Sequence, residues 1–404
     1  MAEHAVSALR VLVITKIFPN AAEPTSAPFN RQQIAALARI CHVEVLATIP
    51  WYPGAGLLAG RSSAGRLTEV PDREVIEGID VRHPRTLFVP RMAHGLWAPL
   101  YVASLVPLAL AHRGKVDVVL GTWAYPDGVA AVALARLMGV PAVVKLHGSD
   151  MNMIAKLPGP RRLLRLALPR AARVVAVSRA LADEARALGV EGDRLSIVMN
   201  GVDADLFRPR DRAAARRELG LPLDSRIALY VGNLKETKGV LDLAAAFERV
   251  AIAHPSVHLA VVGGGEARAA LDALASRWPR RVTLAGPRPL AEIPTWMAAC
   301  DVLTLPSWAE GTPNVVLEAL ASGRRVVAAS VGGIPDLITG AALGELVPAR
   351  DVGALATALG RAAVADYDAN EVARLAARGG WAESAAQLAA VLAAACGKSP
   401  AIVP

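Results

Sequence analysis

Residues 307–323 read Ser307-Trp308-Ala309-Glu310-Gly311-Thr312-Pro313-Asn314-Val315-Val316-Leu317-Glu318-Ala319-Leu320-Ala321-Ser322-Gly323, and they are predicted to run from a loop into a helix. They follow the apolar run 301–305, which reads as a buried strand. Pro313 is predicted at the first helical position, where a missing N–H is not needed. The amides of Asn314, Val315 and Val316 are then expected to face an anion, as amides at helix N-termini do.

Two glutamates of this stretch are candidates for binding a polar ligand. Glu310 lies in the loop, where its carboxylate can face a crevice. Glu318 has apolar neighbours in the sequence, and an ionised carboxylate in such surroundings costs several kcal/mol unless it is hydrogen-bonded. A sugar or a ribose diol offers hydroxyl donors to such a carboxylate. The structural alternative is that Glu310 caps the helix and Glu318 points to solvent.

The composition indicates a protein of two domains. A chain of 404 residues exceeds one typical core. Aromatic residues make up only 4%, which argues against a stacking platform for nucleic acid. Cys41, Cys300 and Cys396 are far apart and form no Cys-x-x-Cys pair, so neither a disulfide framework nor a zinc site is predicted. This cysteine usage and the lack of a visible secretory signal favour a reducing cytoplasm.

The net charge of +8 is concentrated in one segment. Residues 151–182 contribute +7 and contain no acidic side chain. Leucines alternate with the basic residues, which predicts a short amphipathic helix that includes Arg161, Arg162 and Arg165. Attraction to an anionic membrane surface is one interpretation, at about 1 kcal/mol per basic residue. The other interpretation is a solvated helix face whose arginine stems cover the core.

Short apolar runs alternate with helical patterns along the chain. Strands are predicted at residues 10–15, 43–47, 116–120, 141–146, 173–177, 195–198, 226–231, 257–262, 281–286, 301–305 and 325–329. Helices are predicted at 29–40, 95–111, 351–361 and 381–395. This alternation predicts parallel sheets covered by helices on both faces, with ligands beyond the carboxyl ends of the strands.

Two segments are harder to interpret. Residues 70–82 are mixed and read as short strands or a hairpin. The uncharged run 95–111 is shorter than the ~20 residues of a membrane span and contains two prolines, so it is read as a helix that packs in the core. Interfacial contact through Trp97 and Tyr101 is the alternative.

Three turns at predicted strand ends carry further candidate residues. His147 can donate a hydrogen bond to a hydroxyl or stabilise a developing charge, although a single histidine is often structural. Gly232 and Lys238 bound a turn that suits a phosphate, but the turn lacks the Walker order. The glycines at 263–265 match part of a dinucleotide fingerprint, but Arg268 replaces its third glycine, so a nicotinamide-dependent oxidoreductase has little support.

Together these residues resemble the retaining glycosyltransferases of family 4. The most specific element is a Glu-x7-Glu signature at Glu310 and Glu318, followed by a glycine pair at Gly332 and Gly333. The other matching motifs occur in the family's usual order, namely His147-Gly148-Ser149-Asp150, Asn200-Gly201-Val202-Asp203 and Gly232 to Gly239. The N-terminal half is similar to the teichuronic-acid glycosyltransferase-like subgroup through Phe18-Pro19-Asn20 and Tyr125-Pro126-Asp127-Gly128.

The resemblance implies an α/β protein of the GT-B fold, with two Rossmann-like parallel-sheet domains facing across a cleft. Residues 1–203 form the acceptor domain, residues 204–380 form the nucleotide-sugar donor domain, and the helix 381–396 packs back on the first domain. The implied enzyme is a retaining hexosyltransferase that needs no metal and no other cofactor. It uses a UDP- or GDP-linked sugar and a glycan or lipid-linked cell-envelope acceptor, in the cytoplasm, peripheral on the inner face of the plasma membrane.

The resemblance also implies a role for each candidate residue. Glu318 holds the ribose hydroxyls, Glu310 faces the donor sugar and Lys238 contacts the diphosphate. His147 lies near the reacting face of the sugar, so the catalytic set is Glu310, Lys238 and His147. The remaining donor-binding residues are Gly232, Asn233, Gly311, Thr312, Asn314, Val315 and Arg288.

Two departures from the family pattern affect this interpretation. Asn233 stands where the family commonly has an arginine that holds the diphosphate, and Lys235 or Arg288 are candidate replacements. A transfer-deficient nucleotide-sugar-binding protein of the same fold is therefore the alternative function. Ala27 stands where the N-terminal loop often carries a glycine, which affects the geometry expected on the acceptor side.

Overall fold

Two parallel β-sheets, one in each unit of the chain, organise the computed structural model, which describes residues 9–54, 63–89 and 94–398. The first unit comprises Met1–Asn200 together with Trp381–Pro404, and the second comprises Gly201–Gly380. The strands are β1 (Arg10–Thr15), β2 (His42–Ala47), β3 (Ile49–Trp51), β4 (Arg73–Ile76), β5 (Ile79–Arg82), β6 (Arg85–Leu87), β7 (Val118–Gly121), β8 (Ala142–Leu146), β9 (Arg173–Ala176), β10 (Leu195–Ile197), β11 (Arg226–Val231), β12 (Val257–Val262), β13 (Val282–Gly286), β14 (Val302–Leu305), β15 (Arg325–Ala329) and β16 (Gly344–Val347).

Helices connect most of these strands. They are α1 (Pro28–Ala38), α2 (Ser63–Leu67), α3 (His94–His112), α4 (Val129–Met138), α5 (Ser149–Asn152), α6 (Pro158–Ala167), α7 (Arg179–Ala187), α8 (Arg212–Leu219), α9 (Val240–Ala253), α10 (Arg268–Arg277), α11 (Ile293–Ala299), α12 (Asn314–Ala321), α13 (Ile334–Leu337), α14 (Val352–Val364), α15 (Ala369–Leu375) and α16 (Trp381–Ala395). Local side chains fix several helix starts, because Ser178, Asp211 and Asp351 each accept a first-turn amide N–H.

The sheet of the first unit has the order β10-β9-β8-β7-β1-β2-β5-β4 and is parallel except for the β4–β5 hairpin. Its central strands are buried and rich in Val, Leu and Ile because helices cover both faces, although β8 also contains the buried Lys145. A separate pair, β3 and β6, is also parallel.

Helix α16 belongs to the core of the first unit, although it follows the second unit in the sequence. Its Leu388 and Leu392 are fully buried in a cluster with Ile34 and Leu37 of α1. The Ser384 hydroxyl accepts a 2.9 Å hydrogen bond from the Gln33 amide and donates a 2.6 Å hydrogen bond to the Met199 carbonyl. Both apolar and polar contacts therefore bind α16 to this unit.

The sheet of the second unit has the order β13-β12-β11-β14-β15-β16, and every neighbouring pair is parallel. This is the doubly wound order of Rossmann sheets, in which the direction of winding reverses between β11 and β14. Ligands of such sheets bind at the carboxyl ends of the strands at this switch point. The loops after β11 and β14 are the two that carry Lys238 and Glu310.

Helix α3 corresponds to the uncharged run 95–111 and packs one face against the core of the first unit. A single stripe is buried, formed by Ala98, Tyr101, Leu105, Ala109 and His112. The alternative of interfacial contact through Tyr101 is wrong, because its hydroxyl is buried and accepts a 2.9 Å hydrogen bond from Thr48. Within the described residues α3 is the one helix whose length and apolar composition would suit a membrane span.

Candidate active site

Lys238 and Glu310 meet at the switch point of the second unit. Lys238 ends the short turn Glu236–Lys238 that follows β11, and Glu310 lies in the loop that follows β14. The Lys238 Nζ atom lies 2.7 Å from Oε1 of Glu310, whose side chain is only 9% exposed. The predicted phosphate-binding lysine and the predicted sugar-facing carboxylate are thus in direct contact.

Glycines allow the surrounding loops to approach each other closely. Gly239 has φ +68°, and a Cβ atom there would lie 2.0 Å from the Pro306 carbonyl oxygen. A Cβ atom on Gly332, at φ +55°, would lie 2.0 Å from the Glu310 carbonyl oxygen. The Gly333 amide also donates a 2.6 Å hydrogen bond to Gly311. These contacts hold the loop of Glu310 from two sides, and only glycine fits such positions.

Trp308 is a second anchor of the same loop, and the sequence interpretation did not identify it. Its backbone amide donates to Thr237 at 3.0 Å and its indole Nε1–H donates to Asp242 at 2.7 Å. The Arg350 guanidinium lies 4.0 Å from the centre of the indole ring. Arg350 has φ +64°, a strained backbone for a residue other than glycine. A tryptophan beside the signature glutamate was the only available signal of this anchor.

The start of α12 differs by one residue from the prediction. Asn314 is the first helical residue, and Pro313, which precedes it as the N-cap, has no side-chain group that could cap the helix. The Val316 amide donates a 3.1 Å hydrogen bond to the Pro313 carbonyl, so the expectation that it faces an anion is wrong. Thr312 is buried, and Val315 remains a candidate donor at the helix start.

Glu318 lies on α12 in surroundings that disfavour its charge. Burial raises the pKa of the Glu318 carboxyl group to about 7. Among the described residues its carboxylate has no hydrogen-bond or ion-pair partner. A half-buried carboxylate without a partner gains most from a ligand that brings hydroxyl donors.

Asn233 and Arg288 are placed less favourably than the two glutamates and Lys238. The Asn233 side chain is exposed, and the backbone carbonyl of Asn233 accepts hydrogen bonds from the Tyr230 hydroxyl at 2.9 Å and the Lys235 amide at 3.0 Å. Arg288 follows the edge strand β13, where it contacts Glu292 at 3.5 Å and the Ala285 carbonyl at 3.2 Å. These two contacts hold the Arg288 side chain against its own segment. Gly232 directly follows β11 and has φ +157°.

His147 lies in the first unit, after β8, and its ring is buried beside Phe29 with the ring centroids 5.0 Å apart. Burial and the neighbouring Lys145 hold the pKa of His147 well below its usual value, so the imidazole is neutral near pH 7. It can form a hydrogen bond but does not bring a positive charge. Its Nε2 atom is buried and has no hydrogen-bond partner among the described residues.

Asp150 fixes the turn that carries His147. It is fully buried and accepts hydrogen bonds from the amides of Gly148 at 2.7 Å, Ala124 at 2.8 Å and Met151 at 3.0 Å. The amide of His147 lies 3.2 Å from both carboxylate oxygens. The motif at 147–150 is thus a histidine held in place by an aspartate, a role that the sequence interpretation did not assign.

A small polar cavity lies in the first unit, next to the loop of the Phe18-Pro19-Asn20 motif. Its volume is about 40 Å³, and its polar lining includes Lys16, Asn20, Glu23, Thr48 and His83. Charged and neutral hydrogen-bonding groups therefore surround one space on the side predicted for the acceptor. Within the described ranges no group of three metal-ligating side chains was found.

Comparison with known proteins identifies the family. The description "Glycosyltransferase Family 4" matches residues 57–206, and "Glycosyl transferases group 1" matches residues 225–363. The chain belongs to glycosyltransferase family 4 and has the GT-B fold. Both the predicted family and the predicted α/β fold class are confirmed.

Individual relatives support the same assignment. A Bacillus subtilis protein named as a teichuronic acid biosynthesis glycosyltransferase, TuaC, is 29% identical over 334 residues, which cover 81% of this chain and 83% of that protein. D-inositol 3-phosphate glycosyltransferase of Mycobacterium tuberculosis is 37% identical, over 44% of this chain and 38% of its own length. The Anabaena protein HepE, solved in complex with UDP, has a TM-score of 0.72 at 20% identity and covers 96% of this chain and 100% of that one.

Proposed function

We propose that this glycosyltransferase moves a hexose from a nucleotide sugar to a glycan or lipid-linked acceptor of the cell envelope, with retention of configuration and without a metal. The observation that carries the proposal is the 2.7 Å contact between Lys238 and Glu310 at the switch point. A bound donor offers a diphosphate to Lys238 and sugar hydroxyls to Glu310. On donor binding, Lys238 would then pair with the diphosphate instead of Glu310, and Glu310 would accept hydrogen bonds from the sugar hydroxyls instead of contacting Lys238.

Glu318 supplies the second part of the donor site. Its carboxylate has no partner among the described residues, and a ribose diol would provide two hydroxyl donors. Lys238 and amides at the start of α12 would neutralise the leaving diphosphate, which is the role that a metal has in other transferases. UDP is the preferred nucleotide in this proposal, because HepE was solved with UDP and with UDP-glucose.

The acceptor is assigned to the first unit. The polar cavity beside Phe18 and Asn20 offers a lysine, a carboxylate and hydroxyl groups to one polar group of the acceptor. The neutral His147 would form a hydrogen bond near the reacting groups. The name of the Bacillus relative supports a cell-envelope polymer as the product. Free cysteines throughout the described chain favour a cytoplasmic location.

A transfer assay tests the proposal. Radiolabelled UDP-sugar is incubated with the protein and a panel of envelope acceptors, and the anomeric configuration of the product is read by NMR. We expect transfer with retention, and we expect Glu318→Ala to abolish it while Glu236→Ala, a change of an exposed residue in the Lys238 turn, leaves it intact. Full transfer by Glu318→Ala would reject the donor site.

The transfer-deficient binding protein is the second candidate, because the exposed Asn233 brings no positive charge to the diphosphate. Calorimetry that shows nucleotide-sugar binding without turnover of any acceptor would favour it. In that case Asn233→Arg should create transfer activity. Rapid turnover by the unmodified protein would eliminate this candidate.

A further inference from the structure

We infer that Trp308, Asp242 and Arg350 are positioning residues that hold Glu310 against Lys238, and we call the three together the Trp308 anchor. They act through the loop that carries Glu310 and not by contact with the donor. The inference rests on the proposed function, because it takes Glu310 and Lys238 as the groups that bind the sugar and the diphosphate. It adds the residues that set the distance between these two groups.

The side chain of Trp308 joins three segments that are distant in the sequence. Its indole Nε1–H donates a 2.7 Å hydrogen bond to Asp242, which lies in the first turn of α9. The Arg350 guanidinium lies 4.0 Å from the centre of the indole ring and belongs to the loop between β16 and α14. The loop of Glu310 is therefore fastened to the segments that follow β11 and β16.

The backbone of Trp308 links the same loop to the turn of Lys238. Its amide donates a 3.0 Å hydrogen bond to the carbonyl of Thr237, the residue before Lys238. Glu310 lies two residues after Trp308. The position of Trp308 therefore determines where Glu310 meets Lys238, whose Nζ atom is 2.7 Å from the Glu310 carboxylate.

The three side chains of the anchor reinforce one another. A hydrogen bond donated to a carboxylate polarises the indole, which makes the face of the ring more negative. An arginine above such a face is attracted more strongly than one above an isolated ring. Loss of the Asp242 hydrogen bond should therefore also weaken the contact with Arg350, and the three residues should behave as one unit.

The backbone of Arg350 supports this role. Arg350 has φ +64°, a conformation that glycine adopts freely and that other residues adopt at a cost. Such strain persists where surrounding contacts determine the conformation, and it is concentrated near functional sites. The next residue, Asp351, is fixed as the N-cap of α14 by a 2.9 Å hydrogen bond from the Ala354 amide. An arginine side chain thus lies over the Trp308 ring at a position where glycine would relieve the strain.

Accurate placement of the two charged groups matters more in this chain, because Asn233 brings no positive charge to the diphosphate. A displacement of about 1 Å can reduce the rate of an enzyme about a hundredfold. The backbone hydrogen bond to Thr237 does not involve the indole, so a change of the Trp308 side chain should displace Glu310 and leave Lys238 in place. The sugar of a donor should then be bound less tightly, while the nucleotide keeps its affinity.

Calorimetry with UDP and UDP-glucose tests the inference without any transfer. Trp308→Phe keeps an aromatic ring but removes the Nε1–H donor. We expect its affinity for UDP-glucose to fall about tenfold and its affinity for UDP to change by less than about twofold, with the binding stoichiometry unchanged. Asp242→Ala should give the same selective loss, and the double variant should bind no more weakly than the weaker single variant.

Arg350→Gly separates positioning from stability. It removes the guanidinium but relieves the positive φ, so it should not lower the melting temperature. Its affinity for UDP-glucose should nevertheless fall about threefold. Unchanged affinity would remove Arg350 from the anchor and overturn the inference as stated.

Matched controls lie outside the anchor. Trp278→Phe changes another tryptophan of the second unit that also lies beneath an arginine, with Arg281 5.9 Å from the centre of its ring. Glu77→Gly relieves a positive φ in the first unit. Both variants should bind UDP and UDP-glucose as the unmodified chain does.

Two calorimetric outcomes overturn the inference. One is a loss of UDP-glucose affinity in Trp308→Phe that is no larger than in Trp278→Phe. The other is an equal loss for UDP and UDP-glucose, because the anchor would then only maintain the fold.

Hydrogen exchange of the ligand-free chain gives a second readout. Trp308→Phe should speed exchange in residues 307–313 but not in β12, and unchanged exchange in 307–313 also overturns the inference. If the unmodified chain transfers no sugar, the proposed function fails, and these measurements still decide the role of the Trp308 anchor.

Discussion

Glu318 connects the donor site to pH, because its pKa of about 7 depends on an environment that a ligand changes. In the free protein, burial favours the protonated form. Hydroxyl donors from a ribose favour the ionised form, so donor binding should release a proton. The same raised pKa has a consequence for stability. The contribution of Glu318 to the free energy of unfolding is present below about pH 4.5 and is lost as the pH rises towards 7.

The binding of UDP-glucose, whose esterified phosphates do not titrate near neutral pH, should therefore strengthen as the pH rises through about 7. Calorimetry in buffers of different ionisation enthalpy measures both the affinity and the released proton. Glu318→Gln keeps an acceptor oxygen but cannot ionise, so its UDP-glucose affinity should be lower and independent of pH over this range. An affinity that is flat with pH in the unmodified protein would contradict the assignment of Glu318.

Lys238 should contribute mainly to the transition state of transfer. Charge-assisted hydrogen bonds contribute about 1.5–3 kcal/mol, so Lys238→Ala should lower kcat/KM by about tenfold to a hundredfold or more. Steady-state kinetics measures this loss. Glu236→Ala in the same turn provides the control. Unchanged kinetics for Lys238→Ala would contradict the assignment of Lys238 to the donor site.

Ala27 is a testable source of strain in the first unit. It precedes α1 with φ +42° and ψ +57°, the left-handed conformation, which costs an alanine about 1–2 kcal/mol. Glycine adopts it freely but loses about 0.5–1 kcal/mol of entropy on folding. Ala27→Gly should therefore raise the free energy of unfolding by about 0.5–1 kcal/mol in urea titrations. Ala133→Gly inside α4 should lower it by a similar amount, and a loss for Ala27→Gly would refute the argument.

At the scale of elements, the turn at Gly332 should control the position of Glu310. Gly332→Ala places a Cβ atom 2.0 Å from the Glu310 carbonyl and imposes positive φ on an alanine. We expect kcat/KM to fall more than about tenfold, beyond the effect on thermal stability. Gly340→Ala has no atom within 4 Å of the new methyl group and should be neutral. Normal kinetics in Gly332→Ala would mean that the loop tolerates displacement.

The strands that the sequence located best are those with continuous apolar runs. The predictions for β1, β11, β12 and β15 have the observed bounds. The edge strand β16 was missed because its four residues include a glycine and a glutamate, so no apolar run marks it. Residues 70–82 do form a hairpin, whose turn residues Glu77 and Gly78 both have positive φ.

The candidate site was predictable only where its residues belong to local motifs. Glu310, Glu318 and Lys238 occur in such motifs, and Glu310 is in contact with Lys238. The Trp308 anchor depends on Asp242 and Arg350, which lie on other segments and are recognisable only after the sheet has brought the segments together. Similarly, the contact between Arg288 and Glu292 could not be predicted from the pattern of apolar residues that locates the strands.

At the scale of the whole molecule, α16 should determine the stability of the first unit alone. Leu388 is fully buried among residues of α1 and the sheet. Leu388→Ala should lower the free energy of unfolding of that unit by about 2–5 kcal/mol, while Gln387→Ala on the exposed face should have little effect. Hydrogen exchange resolves the two units, and we expect faster exchange in β1, β2 and α1 but not in β11 or β12. Uniformly faster exchange would show that the units unfold together.

The position of α16 near the end of the sequence also determines when the first unit can complete its fold during synthesis on the ribosome. The 180 residues of Gly201–Gly380 are synthesised between the sheet of the first unit and the helix that completes it. At about 5–20 residues per second this interval lasts roughly 10–40 s. Throughout it the apolar face of α1 lacks its cover, so the nascent N-terminal half is a client for chaperones, while the half made afterwards already holds every residue of its own fold.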